Sequence, residues 1–277
     1  MTVVHVLGRG FFTPSFPTLT AYRAGVADES AQRPAVDFVP SRNKRGCSIL
    51  TLAAAEVAHQ ACVDAGVSPA LPALVFGSCH GEMEIAVAQM EMFQEDKGLL
   101  SPARFKNSVH NTGAGMFSIA MDNRGYATAI AGGHDTVALS LLEAMLLLQH
   151  DQYETAVIAL ADECLPAPLT RFSPHQALGV ALLIGREPHP ERGSLGTLGL
   201  PQRSSEALFA ADARFGGNPM APLLHLVDAL DEGRAGRGRD GAAPVRRRRL
   251  ARGAVLHRAR EGRPRVDRGG DPRRREP

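Results

Sequence analysis

A chain of 277 residues that is 44% hydrophobic and lacks Trp is long enough for one large core or two small ones. No apolar run approaches the roughly 20 residues of a membrane span, which excludes a helical membrane protein. The net charge of +2 conceals a split: residues 234–277 carry 16 Arg against 5 acidic residues, or +11, while the others hold 15 basic and 24 acidic residues, or −9.

In chain order, Thr2 to Leu7 alternate as a first strand that ends at Gly8-Arg9-Gly10. That triplet lacks the remaining glycine and acidic residue of a dinucleotide fingerprint. Residues 11–45 contain Pro14, Pro17, Pro34 and Pro40 and are expected to be loop. Ser48 is placed to cap a helix in which Leu50, Ala54, Val57, Ala61 and Ala65 recur at helical spacing, with Gly66 as the terminator. A short apolar strand from Ala73 to Phe76 runs into Gly77-Ser78-Cys79-His80-Gly81-Glu82, and a helix from Met83 to Asp96 stops at Gly98. Ser101-Pro102 opens a further helical turn.

Asn111 to Met121 reads as a small-residue helix, Ala127 to Ala131 as a strand, and Gly132-Gly133 as a tight turn into a helix from His134 to Gln149. That last helix is apolar nearly all round, so it is expected to be buried and central. Strands follow at Ala156 to Leu160, before Asp162-Glu163, and at Leu178 to Ile184, with a last short helix from Ala221 to Leu230. Strand and helix alternate, which predicts an α/β class with a parallel, layered sheet around a buried central helix. The expected domain spans 1–233. Residues 234–277 have few large apolar side chains to repay ordering entropy and form an Arg-rich tail. This tail reads as disordered, or as a GC-rich gene translated in a shifted frame; nucleic-acid binding through its charge is an alternative, although it has no aromatic residues for stacking.

Cys47, Cys62, Cys79 and Cys164 are scattered with no Cys-x-x-Cys pair, as reduced thiols of a cytoplasmic protein would be. The opening MTVVHVLGRG has no apolar core of signal-peptide length. Cys79-His80 with Glu82 supplies the residue types of a nucleophile and its base. Neighbouring side chains point apart, however, and no third group orients them, so a Gly-bounded turn is expected. Asp162-Glu163 stands at the carboxyl end of a strand, where α/β folds place functional groups. Without a second carboxylate or His at metal spacing it reads as a solvated loop acid. His110-Asn111 offers the residue types of a metal ligand or base. No metal and no cofactor are expected.

Three blocks carry a resemblance: VFGSCHGEMEI (75–85), FKNSVHNTGAGMFSIA (105–120) and ATAIAGGHDTVALSLLEA (127–144). Together they are similar to the amino-terminal half of β-ketoacyl synthases, and to the chain-length-factor-type proteins of aryl-polyene and polyketide clusters. The resemblance implies a thiolase-like fold and places His134 where a ketosynthase carries its nucleophilic Cys. An imidazole cannot hold an acyl chain through the same thioester. The implied function is therefore a catalytically inactive subunit that pairs with a catalytic ketosynthase as a heterodimer, meets acyl carrier protein, and supports acyl-chain elongation. The residues so implied to line a pocket or interface are His110, Asn111, Gly115, Gly132, Gly133, His134 and Asp135. On the same ground the helical face carrying Val109, Met116, Phe117 and Ile119 is expected to dock on the partner. The alternative is an active acyltransferase or thioesterase using Cys79 or His134.

Overall fold

The computed structural model describes residues 3–95, 98–149, 152–167, 169–202, 215 and 217–232. The tail expected over 234–277 lies outside the described residues. β1 spans Val3–Phe12 and continues through the glycines that were expected to end it. Their role is close packing. A Cβ on Gly8 would lie 2.2 Å from the Ala61 carbonyl oxygen, and one on Gly10 would lie 2.0 Å from that of Val57. The expected loop that follows holds two short helices, α1 (Leu19–Ala24) and α2 (Ser41–Lys44).

α3 (Ile49–Ala65) forms as its end signals require. The Ser48 hydroxyl accepts the Thr51 N–H at 3.0 Å, and Gly66 takes the left-handed conformation at φ 70°. β2 (Ala73–Gly77) is followed by α4 (Met83–Glu95), α5 (Pro102–Phe105), α6 (Thr112–Met121) and β3 (Ala127–Ile130). A single 3₁₀ turn, Gly133–Asp135, leads into α7 (Thr136–Gln149). β4 (Thr155–Asp162), β5 (Leu178–Gly185), β6 (Gly196–Gly199) and α8 (Ala221–Asp231) complete the elements of the described residues.

Among the described residues the strands form one six-stranded sheet in the order β3-β2-β4-β5-β1-β6. β3, β2 and β4 are parallel, whereas β5 runs antiparallel to β4 and to β1, and β1 antiparallel to β6. The expected parallel sheet is therefore corrected to a mixed one. The cause lies in residues 163–177. Their described residues hold one 3₁₀ turn, Leu169–Phe172, and no crossover helix, so β5 starts at the end of the sheet where β4 finished. Leu7 is an extra residue in β1 where its pairing with β5 shifts, and only Leu198 and Gly199 are buried in β6, too little alternation to mark a strand in sequence.

Side chains leave the sheet with period two and build a core on each face. Ile158, Leu160, Val180 and Leu182 meet Leu141, Met145 and Leu148 of α7 and Leu223 and Val227 of α8. Val157, Ala159, Ala181 and Leu183 meet Ala54, Val57 and Ala61 of α3 and Ala114 and Phe117 of α6. Each fully buried Leu or Phe contributes about 1.5–3 kcal/mol. The helix with the least solvent face is α3. α7 covers the sheet on one side only, and its Leu139, Leu142 and Leu146 are exposed, which corrects the expectation of a helix buried all round.

Candidate functional site

The parallel strands β3, β2 and β4 end together, and their carboxyl ends gather most of the polar residues singled out in the sequence. The turn after β2 is organised by one carboxylate. Asp162 accepts the Ser78 hydroxyl at 2.6 Å and the His80 N–H at 3.1 Å on Oδ1, and the Cys79 N–H at 2.9 Å on Oδ2. The Ser78 oxygen in turn accepts the Gly81 N–H at 2.8 Å. Residues 78–81 thus form a Gly-bounded turn, as expected. The acids that hold it are not solvated loop acids, because Asp162 and Glu163 are each 1% exposed. An apolar strand followed by two acids looks like an exit into solvent. Here the strand end is covered by the neighbouring turn, which no local pattern announces.

Cys79 is half-buried, and burial first, then the Asp162 charge, pushes its thiol up to about 11. At neutral pH it is a thiol and not a thiolate, the reverse of an activated nucleophile. The other half of the suspected pair is stacked on a second histidine. The His80 ring stacks on His175, with centroids 5.8 Å apart and planes 15° apart. His175 is buried, and desolvation lowers its pKa. Its Nδ1 lies 3.2 Å from Asn218 Nδ2 and 3.1 Å from the Gln176 carbonyl. The Asn218 amide is oriented by accepting the Met220 N–H at 2.8 Å and donating to the Gln176 carbonyl at 2.8 Å. His175 and Asn218 carry no signal in the sequence, since each sits in an irregular segment. His110 also reaches this turn, as a Cβ on Gly81 would lie 3.3 Å from its Nδ1.

The loop after β3 lies beside the loop after β2, for Ser78 N–H donates to the Ile130 carbonyl at 3.2 Å. Thr136 pins the Gly-Gly turn: its hydroxyl accepts the Gly132 N–H at 3.0 Å and donates to the Gly133 carbonyl at 2.7 Å. Gly133 has φ 58°, which demands glycine, and Gly77 leaves room for the start of α7, where a Cβ would meet Ser140 Oγ at 2.9 Å. The strand–turn–helix layout is thus present, with His134 and Asp135 in the 3₁₀ turn that precedes α7. His134 is exposed and Asp135 half-buried. On α6, Met116 and Phe117 belong to the core, so the face expected to dock is corrected: it retains Ile119, 76% exposed, and Gly115, where a Cβ would meet nothing within 4 Å. Asn111 stands exposed at the amino end of that helix.

Among the described residues, no group of three or more His, Cys, Asp or Glu is placed to hold a metal ion, and no helix is long and apolar enough to cross a membrane. The strand ends thus gather hydrogen-bonding side chains around a carboxylate-held turn, with the Cys79 thiol protonated at neutral pH.

A mixed sheet with helices on both faces, a glycine turn opening α7 and a carboxylate-held turn beside it define a ketosynthase-type fold. The profile of the beta-ketoacyl synthase N-terminal domain matches residues 20–205, and the chain belongs to that family. No curated protein matches it. Among solved structures, it is similar to a ketosynthase (ApeO) in complex with its chain length factor (ApeC) from Xenorhabdus doucetiae. That similarity has a TM-score of 0.56 at 19% identity, over 67% of this chain and 79% of that one. The ishigamide ketosynthase/chain length factor aligns with a TM-score of 0.60 at 18% identity, over 72% of this chain and 66% of that one. A type II polyketide acyl-carrier protein in complex with its ketosynthase bound to the hexaketide aligns at 0.57 with 13% identity, over 72% and 67%. At such identities the likeness is one of fold.

Proposed function

We propose that the chain is a non-condensing, chain-length-factor-type subunit that pairs with a catalytic ketosynthase and supports acyl-chain elongation on acyl carrier protein, in fatty-acid or polyketide (aryl-polyene-type) synthesis in the cytoplasm. The observation that carries this reading is the turn between β3 and α7. The scaffold that would aim a nucleophile along a helix amino terminus is built, and it presents an exposed imidazole at His134. The nearby thiol of Cys79 is held protonated by burial. A subunit of this kind supplies surface and cavity wall, and its partner supplies the chemistry. The half-buried His80 and His110, at the turn that Asp162 holds, fit a wall that faces a thioester without attacking it.

The test is acylation. Incubated with an acyl-carrier-protein thioester, the purified chain should gain no covalent acyl adduct by mass spectrometry, and His134→Ala should leave folding intact. His134→Cys should not confer condensation on the chain alone. An acyl adduct on Cys79 or His134, or turnover by the single chain, refutes the reading and restores an acyltransferase.

A further inference from the structure

Two imidazoles meet over the strand ends, and the amide beside one of them fixes its protonation. His175, 6% exposed, stands in the loop before β5, and its ring is stacked on that of His80, in the turn after β2, with centroids 5.8 Å apart. Beside it lies Asn218, 3% exposed, in the segment that leads into α8. The other partners of that amide set its orientation. The Met220 N–H can only donate, so the atom it meets at 2.8 Å is Oδ1. The Gln176 carbonyl can only accept, so the atom it meets at 2.8 Å is Nδ2. A flipped amide would turn both bonds into repulsions. The Nδ2 that lies 3.2 Å from His175 Nδ1 is therefore a donor, and Nδ1 must accept. The ring is thus neutral, with its proton on Nε2.

A second proton has no good place. On Nδ1 it sets an N–H against the Asn218 amino group. The Gln176 carbonyl, 3.1 Å from Nδ1, would have to take that proton while it still holds Asn218. Nε2 is buried and makes no hydrogen bond, so a charge on the ring finds no acceptor at that end. Two ionisable groups act on the ring from the elements packed around it. Asp162, at the end of β4, favours the cation, and His80 opposes it. Cys79 is a protonated thiol, His110 reaches the same turn at Gly81, and segments 174–177 and 217–220 bring no other charge. Burial outweighs Asp162 and holds the pKa of His175 below the usual 6.5.

We propose that His175, clamped by Asn218 and stacked on His80, is an acid-sensitive latch: when neutral it ties the loop before β5 and the approach to α8 to the turn after β2, and when protonated it lets them part. The joined segments are far apart in sequence and meet only here. Gly217 completes the contact, since a Cβ there would lie 3.2 Å from the Pro174 carbonyl. Release in acid uncovers the Ser78–Gly81 turn. The proposal is independent of the partner role above.

Two measurements on the full chain test it. In the first, the ring-nitrogen NMR shifts at about pH 8 should show His175 unprotonated at Nδ1 and protonated at Nε2; a proton on Nδ1 overturns the proposal. Titrated downward, His175 should change state below 6.5, and the Met220 amide, held by Asn218, should lose exchange protection in step with it, after correction for intrinsic rate. A midpoint at or above 6.5, or Met220 protection that does not change across the step, overturns the latch. The second is urea unfolding across a pH series with His175→Gln, in the wild type and in a His80→Phe background. A His with a lowered folded pKa has no pH effect above its unfolded value. Below about 6.5 the unfolded chain binds the proton first, so the unfolding constant of the wild type relative to His175→Gln should rise as pH falls. The rise should reach at most about tenfold per pH unit and level off below the folded pKa. His80→Phe keeps a ring and removes its charge, so it should shorten that window. A ratio that is flat in pH, or a window that His80→Phe leaves unchanged, overturns the latch. If either variant does not fold, the ring titration decides.

Discussion

Removing the Asp162 carboxylate should cost a large share of the stability of this fold. Its two oxygens accept the Ser78 hydroxyl and the backbone N–H groups of Cys79 and His80, at 1% exposure. Asp162→Ala strands both amides in a buried turn, at about 1–3 kcal/mol each, and frees the Ser78 hydroxyl to turn elsewhere. The sum is about 4 kcal/mol, against a total of about 5–15 kcal/mol for a domain. Asp162→Asn keeps the shape and keeps Oδ1 as acceptor for Ser78 and His80, but sets an NH₂ against the Cys79 N–H, for a loss of about 2 kcal/mol. Urea unfolding followed by circular dichroism reads both, and the slope with denaturant should stay constant if only the native contacts change. The substitution to Asn should also lower the Cys79 thiol from about 11, because Asp162 is the second cause of its rise, while burial keeps it above the ordinary value. If the Ala and Asn variants lose the same stability, or if the Ala variant loses less than about 1 kcal/mol, Asp162 does not organise the turn.

Gly10→Ala should cost at least about 3 kcal/mol, because its Cβ would lie 2.0 Å from the Val57 carbonyl and the α3 backbone would have to move; thermal unfolding measures this. Gly115→Ala, with open space at Cβ in the exposed side of α6, should instead stabilise by about 0.5–1 kcal/mol in the same measurement. Gly115→Arg should leave circular dichroism unchanged and abolish co-purification with a co-expressed ketosynthase subunit; wild-type yield would place the contact elsewhere. Leu141→Glu, at 0% exposure, should prevent folding, whereas Leu142→Glu, at 36%, should cost about 1 kcal/mol in the isolated chain, by urea titration.

The sequence discloses α3 in full, because Ser48 and Gly66 act through local backbone chemistry that does not depend on distant packing. The turn into α7 is legible for the same reason, since Gly133 must hold a positive φ. The acids at 162 and 163 were misread because burial of a strand end depends on which turn lies beside it. That turn, residues 78–81, is distant in sequence and reaches Asp162 only once β2 and β4 pair in register. The direction of β5 was misread on similar grounds, for an antiparallel return and a parallel crossover begin with the same apolar run, and only the connection tells them apart.

α7 shows where pattern and structure part for a physical reason. Periodicity reports how much apolar surface a helix carries, and the fold decides how much of it meets the sheet. Val137, Leu141, Ala144, Met145 and Leu148 satisfy that demand on one side, within reach of β2 and β4. Leu139, Leu142 and Leu146 carry the same kind of side chain on the other side and remain exposed in the single chain. Apolar surface in water forgoes about 25 cal/mol per Å² that burial would recover. The all-round apolarity of α7 therefore exceeds what this chain's own sheet requires. The two predictions at Leu141 and Leu142 bear on that difference directly: if both positions respond alike in the isolated chain, the outer face of α7 is already covered and the helix is as central as its sequence suggests.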